Sequence, residues 1–126
     1  MPSDAKSQRV RFRCGAETVD SQMDARFEDR TLPKARKTFR AAFEGTTGGA
    51  LMPGAQLAVV VNSVTVGTIT LAQEVVGEVE GQLRFDSKGH FGKKVGPFPV
   101  TFPVIAAGST VELQLAGTTV LGCTFN

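Results

Sequence analysis

Apolar and polar residues alternate along much of this chain, and the period is two. In Arg9-Val10-Arg11-Phe12-Arg13-Cys14, one side carries Val10, Phe12 and Cys14 and the other carries three arginines. That period belongs to a strand with one dry and one wet face, because successive side chains leave the pleated backbone on opposite sides. The pattern predicts a first strand at about 9–15. A second places Met23, Ala25 and Phe27 inward against Gln22, Asp24, Arg26 and Glu28. After a turn at Leu32-Pro33, a third places Phe39, Ala41 and Phe43 inward, with Lys37, Thr38, Arg40 and Glu44 outward or flanking.

Leu57-Ala58-Val59-Val60-Val61 is apolar throughout, as a central strand covered on both sides would be. Met52-Pro53-Gly54 before it is a tight turn, since proline presets φ and glycine accepts a positive φ next. Asn62-Ser63 is a hairpin turn into Val64–Leu71, where the inward phase slips near Gly67 and predicts a bulge or bend. Val79, Leu83 and Phe85 then alternate with outward Glu78, Glu80, Gln82, Arg84 and Asp86. Pro97, Pro99 and Pro103 exclude a central strand at 97–105 and leave an extended edge or a crossover. Val111–Leu115 and Val120–Phe125 close the chain, with turns at Gly108 and Gly117.

Eight or nine short strands at this spacing predict an all-β fold, an antiparallel β-sandwich of Ig-like or jelly-roll-like kind. The expected inward set is Val10, Phe12, Met23, Phe27, Phe39, Phe43, Leu57, Val59, Leu83, Phe85, Val111, Leu113 and Phe125. At 126 residues there is room for one core, so residues 9–126 form one domain behind a polar, flexible leader at 1–8.

Composition narrows the function. Nine phenylalanines with no tyrosine or tryptophan point to interior filling rather than to an aromatic glycan-stacking platform. A net charge of +2 makes nucleic acid an unlikely partner. No apolar run is long enough to span a bilayer. Met1–Gln8 lacks the apolar stretch of a secretion signal, which leaves two accounts: retention in the cytoplasm, or export with the signal removed.

The segments Lys37–Glu44, Leu57–Asn62, Val66-Gly67-Thr68 and Gly81–Asp86 together resemble β domains of uncharacterised bacterial surface or secreted proteins. The resemblance covers roughly residues 22–125, rests on strand and turn positions, and implies an extracellular β-sandwich. It carries over no catalytic residue.

Cys14 and Cys123 are the only cysteines, each inward on a terminal strand beside Phe12 and Phe125. They are either a disulfide tying the two ends of the domain or two buried thiols, and the compartment decides between these. Two thiols and a single distant histidine give no metal-ligand spacing, and no catalytic residue or cofactor site is assigned. Gly45-Thr46-Thr47-Gly48-Gly49 lacks the lysine and following helix of a phosphate loop.

Two features remain as candidate sites. Lys88, His90, Lys93 and Lys94 form a glycine-rich cationic loop suited to a glycan or anionic ligand. Arg9, Arg11 and Arg13 form a basic stripe on the first strand, expected to meet Asp24, Arg26 and Glu28 across a strand pair. The reading that follows is a non-enzymatic structural or assembly module, a homo-oligomer joined through edges near 9–15 or 97–105. A ligand-binding module is the alternative.

Overall fold

The computed structural model describes residues 8–89 and 95–126. The fold is a β-sandwich of nine strands without a helix among those residues. Strands β1 (Gln8–Glu17), β2 (Ser21–Leu32), β3 (Arg36–Thr46), β6 (Glu78–Asp86) and β7 (Val95–Gly96) form one sheet in the order β1-β2-β3-β6-β7. Strands β4 (Gln56–Val61), β5 (Val64–Thr70), β8 (Thr110–Leu115) and β9 (Thr118–Thr124) form the other, in the order β5-β4-β8-β9. All pairs are antiparallel except the two-residue β6–β7 pair, a parallel contact the sequence pattern does not predict.

The interior is built on an aromatic row. Register places Phe12 opposite Phe27, Phe27 opposite Phe39, and Phe39 opposite Phe85, so four strands contribute one ring each to a single inward line. Phe102 reaches this row from outside the sheet, with its ring centroid 5.2 Å from Phe39 and 6.0 Å from Phe85. Phe98 packs edge-on against Phe102 at 4.8 Å, and Phe125 lies 6.0 Å from Phe12. The absence of tyrosine and tryptophan has a structural reason: these rings pack on one another in the interior and need no polar tip. Among the described residues only Phe98 faces a cation, Lys37 Nζ at 5.0 Å. Leu57, Val59, Val61, Ile69, Val111 and Leu113 supply the facing layer from the second sheet.

Prolines 97, 99 and 103 do not lie in an edge strand. The chain from Pro97 to Ser109 carries no strand and passes from the first sheet to the second, so residues 97–105 are the crossover. Asn62 holds its far end: its amide nitrogen donates to Val104 O and Ser109 Oγ, both at 3.2 Å, and its carbonyl accepts from Thr110 N at 3.0 Å. Asn62 and Ser63 both have positive φ, 48° and 69°, as a two-residue type I′ hairpin requires. Gly54 has φ 91° and Ala55 N donates to Met52 O at 3.0 Å, so Met52-Pro53-Gly54 turns as the sequence predicts. The phase slip in β5 is a bulge: Thr65 faces Val60 and Gly67 faces Val59, leaving Val66 as the extra residue.

Burial and strand bounds refine three expectations. Val10 keeps the inward phase but is 51% exposed, because it lies toward the start of an edge strand while Phe125 covers Phe12 farther along. Phe12 and Leu83 face inward and pack against the core while remaining half-buried. Gln8 belongs to β1, so the strand starts inside the segment read as a leader; residues 1–7 lie outside the described residues.

The sandwich is closed at two seams. At one, Cys14 of β1 and Cys123 of β9 form a disulfide between the edges of the two sheets, with Cα atoms 5.7 Å apart. At the other, β5 leans on β6 where Gly67 and Gly81 leave room. A Cβ on Gly81 would sit 2.5 Å from Ile69 Cγ2 and 2.9 Å from Thr70 O.

Candidate functional site

The outer face of the five-stranded sheet carries charge in ordered rows. Since neighbouring strands are antiparallel and in register, each row crosses the strands at right angles. Arg13 faces Arg26, Arg26 faces Arg40, and Arg40 faces Arg84: four consecutive strands place four arginines in one line. Two rows toward the start of β1, Arg9 faces Arg30 and Arg30 faces Arg36. Between them lies a mixed row, Arg11, Glu28, Thr38 and Asp86. Toward the other end come Gly15, Asp24, Ala42 and Gln82, then Glu17, Gln22, Glu44 and Glu80. One face is thus cationic at one end and anionic at the other.

The carboxylates of the mixed row are held by arginines of that row and of the Arg9, Arg30 and Arg36 row beside it. Glu28 accepts from Arg11 Nε at 3.0 Å and from Arg9 Nη1 at 3.2 Å. The hydrogen bond from Arg11 holds the Glu28 carboxyl below its ordinary value, against the opposing effect of partial burial and with help from the charges of Arg11 and Arg9. Arg36 Nη2 donates to Asp86 Oδ2 at 2.6 Å and its Nε to Oδ1 at 3.3 Å, a two-pronged pair. That hydrogen bond and the Asp86 charge raise the Arg36 pKa further. Lys88 N also donates to Asp86 Oδ1 at 2.8 Å. These contacts explain why Asp86, outward by phase, is only 6% exposed.

The arginine row is not neutralised in this way. Arg40 donates to Asp24 Oδ1 and to Gln82 Oε1, both at 3.0 Å. Among the described residues, Arg13, Arg26 and Arg84 form no ion pair, and all three are exposed. Like charges directly opposite one another on a sheet are destabilising, so local stability does not account for this row. The row lines a groove of about 430 Å³, together with Arg11, Arg36 and Glu28. A second groove of about 420 Å³ lies beside it over the acidic end, lined by Glu44, Glu74 and Glu80.

The basic stripe expected on the first strand is present and meets Glu28 and Arg26 as expected, but not Asp24. Arg9 and Arg11 share Glu28, whereas Arg13 meets Arg26, and Asp24 turns to Arg40. Of the cationic loop, Lys88 is exposed at the end of β6; His90, Lys93 and Lys94 lie outside the described residues. Among the described residues no group of three or more His, Cys, Asp or Glu side chains could hold a metal ion. No helix among them is long and apolar enough to cross a membrane.

The arginine row went unpredicted, yet the sequence holds a signal for it. The dipeptides Phe12-Arg13, Arg26-Phe27, Phe39-Arg40 and Arg84-Phe85 alternate in order along the chain. Antiparallel pairing reverses each successive strand, so this alternation stacks phenylalanine on phenylalanine inside and arginine on arginine outside. No family model, curated protein or solved structure matches this chain.

Proposed function

We propose that the protein is a non-enzymatic interaction and assembly module that docks an anionic partner on the outer face of its five-stranded sheet. The observation that carries this reading is the Arg13–Arg26–Arg40–Arg84 row. Exposed guanidiniums at strand spacing, about 4.8 Å apart along the backbone ladder, offer repeated two-pronged donors for carboxylate, sulfate or phosphate groups. The Cys14–Cys123 disulfide suits an oxidising compartment, in keeping with a surface or secreted role. The Phe row behind the arginines and the disulfide at the edge hold the face rigid, which limits the entropy lost on docking.

A heparin column serves as a probe for the basic row. The protein is expected to be retained at low salt and released as salt rises. Arg26→Gln with Arg84→Gln should elute at distinctly lower salt. A charge-matched control, Lys34→Gln with Lys88→Gln, should elute near the wild type. Equal shifts in both variants would mean that net charge, not the row, is responsible, and would refute the reading. The groove along the row favours a second reading, an anionic glycan as the ligand. Binding of a defined sulfated oligosaccharide in a one-to-one complex would select it.

A further inference from the structure

We infer that the anionic partner of the arginine row is the acidic end of the same face on a second copy of this chain, giving a two-fold, face-to-face dimer. This rests on the docking reading above and names its partner. The argument is one of register. A two-fold axis lying along the row Gly15, Asp24, Ala42 and Gln82 reverses strand direction but keeps each strand over its own counterpart. It therefore exchanges the arginine row with the row Glu17, Gln22, Glu44 and Glu80. Arg13 then stands over Glu17 of the second copy, Arg26 over Gln22, Arg40 over Glu44 and Arg84 over Glu80. Three cations meet three carboxylates and the fourth meets an amide. A two-fold interface demands this kind of self-complementarity, in which one patch recognises itself inverted.

Dimensions agree. Packed sheets lie about 10 Å apart, a gap that an extended arginine opposite a glutamate can span and that two glutamates cannot. The central row contributes Gly15 and Ala42, whose small size lets the faces approach, and Asp24 and Gln82, which meet their own counterparts across the axis. The Asp24 charge is met by Arg40 of its own copy at 3.0 Å. Glu17, Glu44, Arg13, Arg26 and Arg84 are exposed and Glu80 half-buried, so these side chains are accessible to a second copy. Four strands about ten residues long cover roughly 600 Å² per copy, near the lower limit for a specific complex, so the dimer should be weak and salt-sensitive. Pairing of two β1 edges centred on Arg11 is a poorer route to assembly, because it would set Arg9 against Arg13 and Arg11 against itself.

Analytical ultracentrifugation of the intact, oxidised protein tests this. The wild type is expected to show a monomer–dimer equilibrium in the micromolar range at low salt and to be monomeric at about 1 M salt, where the screening length falls to about 3 Å. Reversing one end, Arg13→Glu with Arg84→Glu, should weaken the dimer at least tenfold or so, as should Glu17→Arg with Glu80→Arg at the other end. Combining all four substitutions restores opposite charges across the interface and should restore the dimer. Urea unfolding of each variant confirms that it is folded; Arg13→Gln with Arg84→Gln serves if a reversal is not. A wild type that stays monomeric at low salt, or a fourfold variant that does not recover, overturns the inference. Heparin retention separates it from the broader reading: it should be lost with Arg13→Glu and Arg84→Glu, and kept with Glu17→Arg and Glu80→Arg. A monomeric protein with that retention pattern would defeat the dimer and leave the docking surface standing.

Discussion

Replacing Gly81 by alanine should destabilise the protein by about 2–3 kcal/mol, the upper part of the range for overpacking a core. The magnitude follows from what the new methyl would meet. Ile69 Cγ2, at 2.5 Å, belongs to a fully buried side chain with little freedom to turn. Thr70 O, at 2.9 Å, is backbone and can move only if β5 moves away from β6. That displacement would disturb the seam where Ala72 N donates to Glu80 O and Glu80 N to Ala72 O, each at 2.9 Å. Urea unfolding is the assay, with thermal unfolding expected to fall by roughly 8–12 °C for a domain of this size. Gly48→Ala is the control: its Cβ would meet nothing within 4 Å and its φ is not in the left-handed region, so the change should stay within about 0.5 kcal/mol. Ile69→Leu removes the offending methyl from Cβ, and in the double variant it should recover part of the loss. A Gly81→Ala protein as stable as Gly48→Ala would refute the close approach of β5 and β6.

Other outcomes follow from single features. Reducing the Cys14–Cys123 bridge, which spans 109 residues, should cost up to about 4.8 kcal/mol in the chain-entropy account, read as the difference between urea curves with and without reductant. Ala116 holds a φ of 52° beside Gly117 at 84°, so Ala116→Asn should stabilise the hairpin by about 0.5–1 kcal/mol; a loss would refute the turn type. Glu28 has its pKa lowered in the folded state, so its contribution to stability is complete above the ordinary value of 4.5 and disappears as pH falls through the lower folded value. Glu28→Gln should therefore flatten the acid limb of the stability–pH curve, and an unchanged limb would show that the Arg9 and Arg11 contacts contribute nothing.

Much of this fold was legible because a sandwich strand reveals its phase. Met23, Phe27, Phe39, Phe43 and Phe85 are inward in the sequence and buried in the structure. The pattern gives phase without neighbours, and that is where it failed. Arg13 could meet Asp24, Arg26 or Glu28 by phase alone, and only register sets it against Arg26. Asp86 reads as an ordinary wet residue because its partner Arg36 comes from another strand, one row away, and only tertiary structure brings the two together. The prolines of the crossover excluded a central strand, but whether they formed an edge depended on where the sheets stood. Val10 shows the complementary error, since phase cannot tell how far the facing sheet extends.

The contrast between adjacent rows on one face carries the functional reading further than the number of arginines does. Once four strands stack their phenylalanines in register, alternation dictates that their outward neighbours also stack. It does not dictate their charge. The row Arg11, Glu28, Thr38 and Asp86 sits on the same strands and mixes signs, and its carboxylates are held by arginines at 2.6–3.2 Å. A wet sheet face normally resolves its charges in this manner. The next row could have done the same with a glutamate at Arg26 or Arg84, and instead repeats one charge four times. Asp24 in the adjacent row pairs with Arg40 at 3.0 Å; for Arg13, Arg26 and Arg84 the carboxylates Glu17, Glu44 and Glu80 lie two rows away along the strands, within reach of an inverted second copy. Stability alone would favour mixing the signs in each row; separating them toward opposite ends of the face gives up some of that stability and creates a surface able to bind.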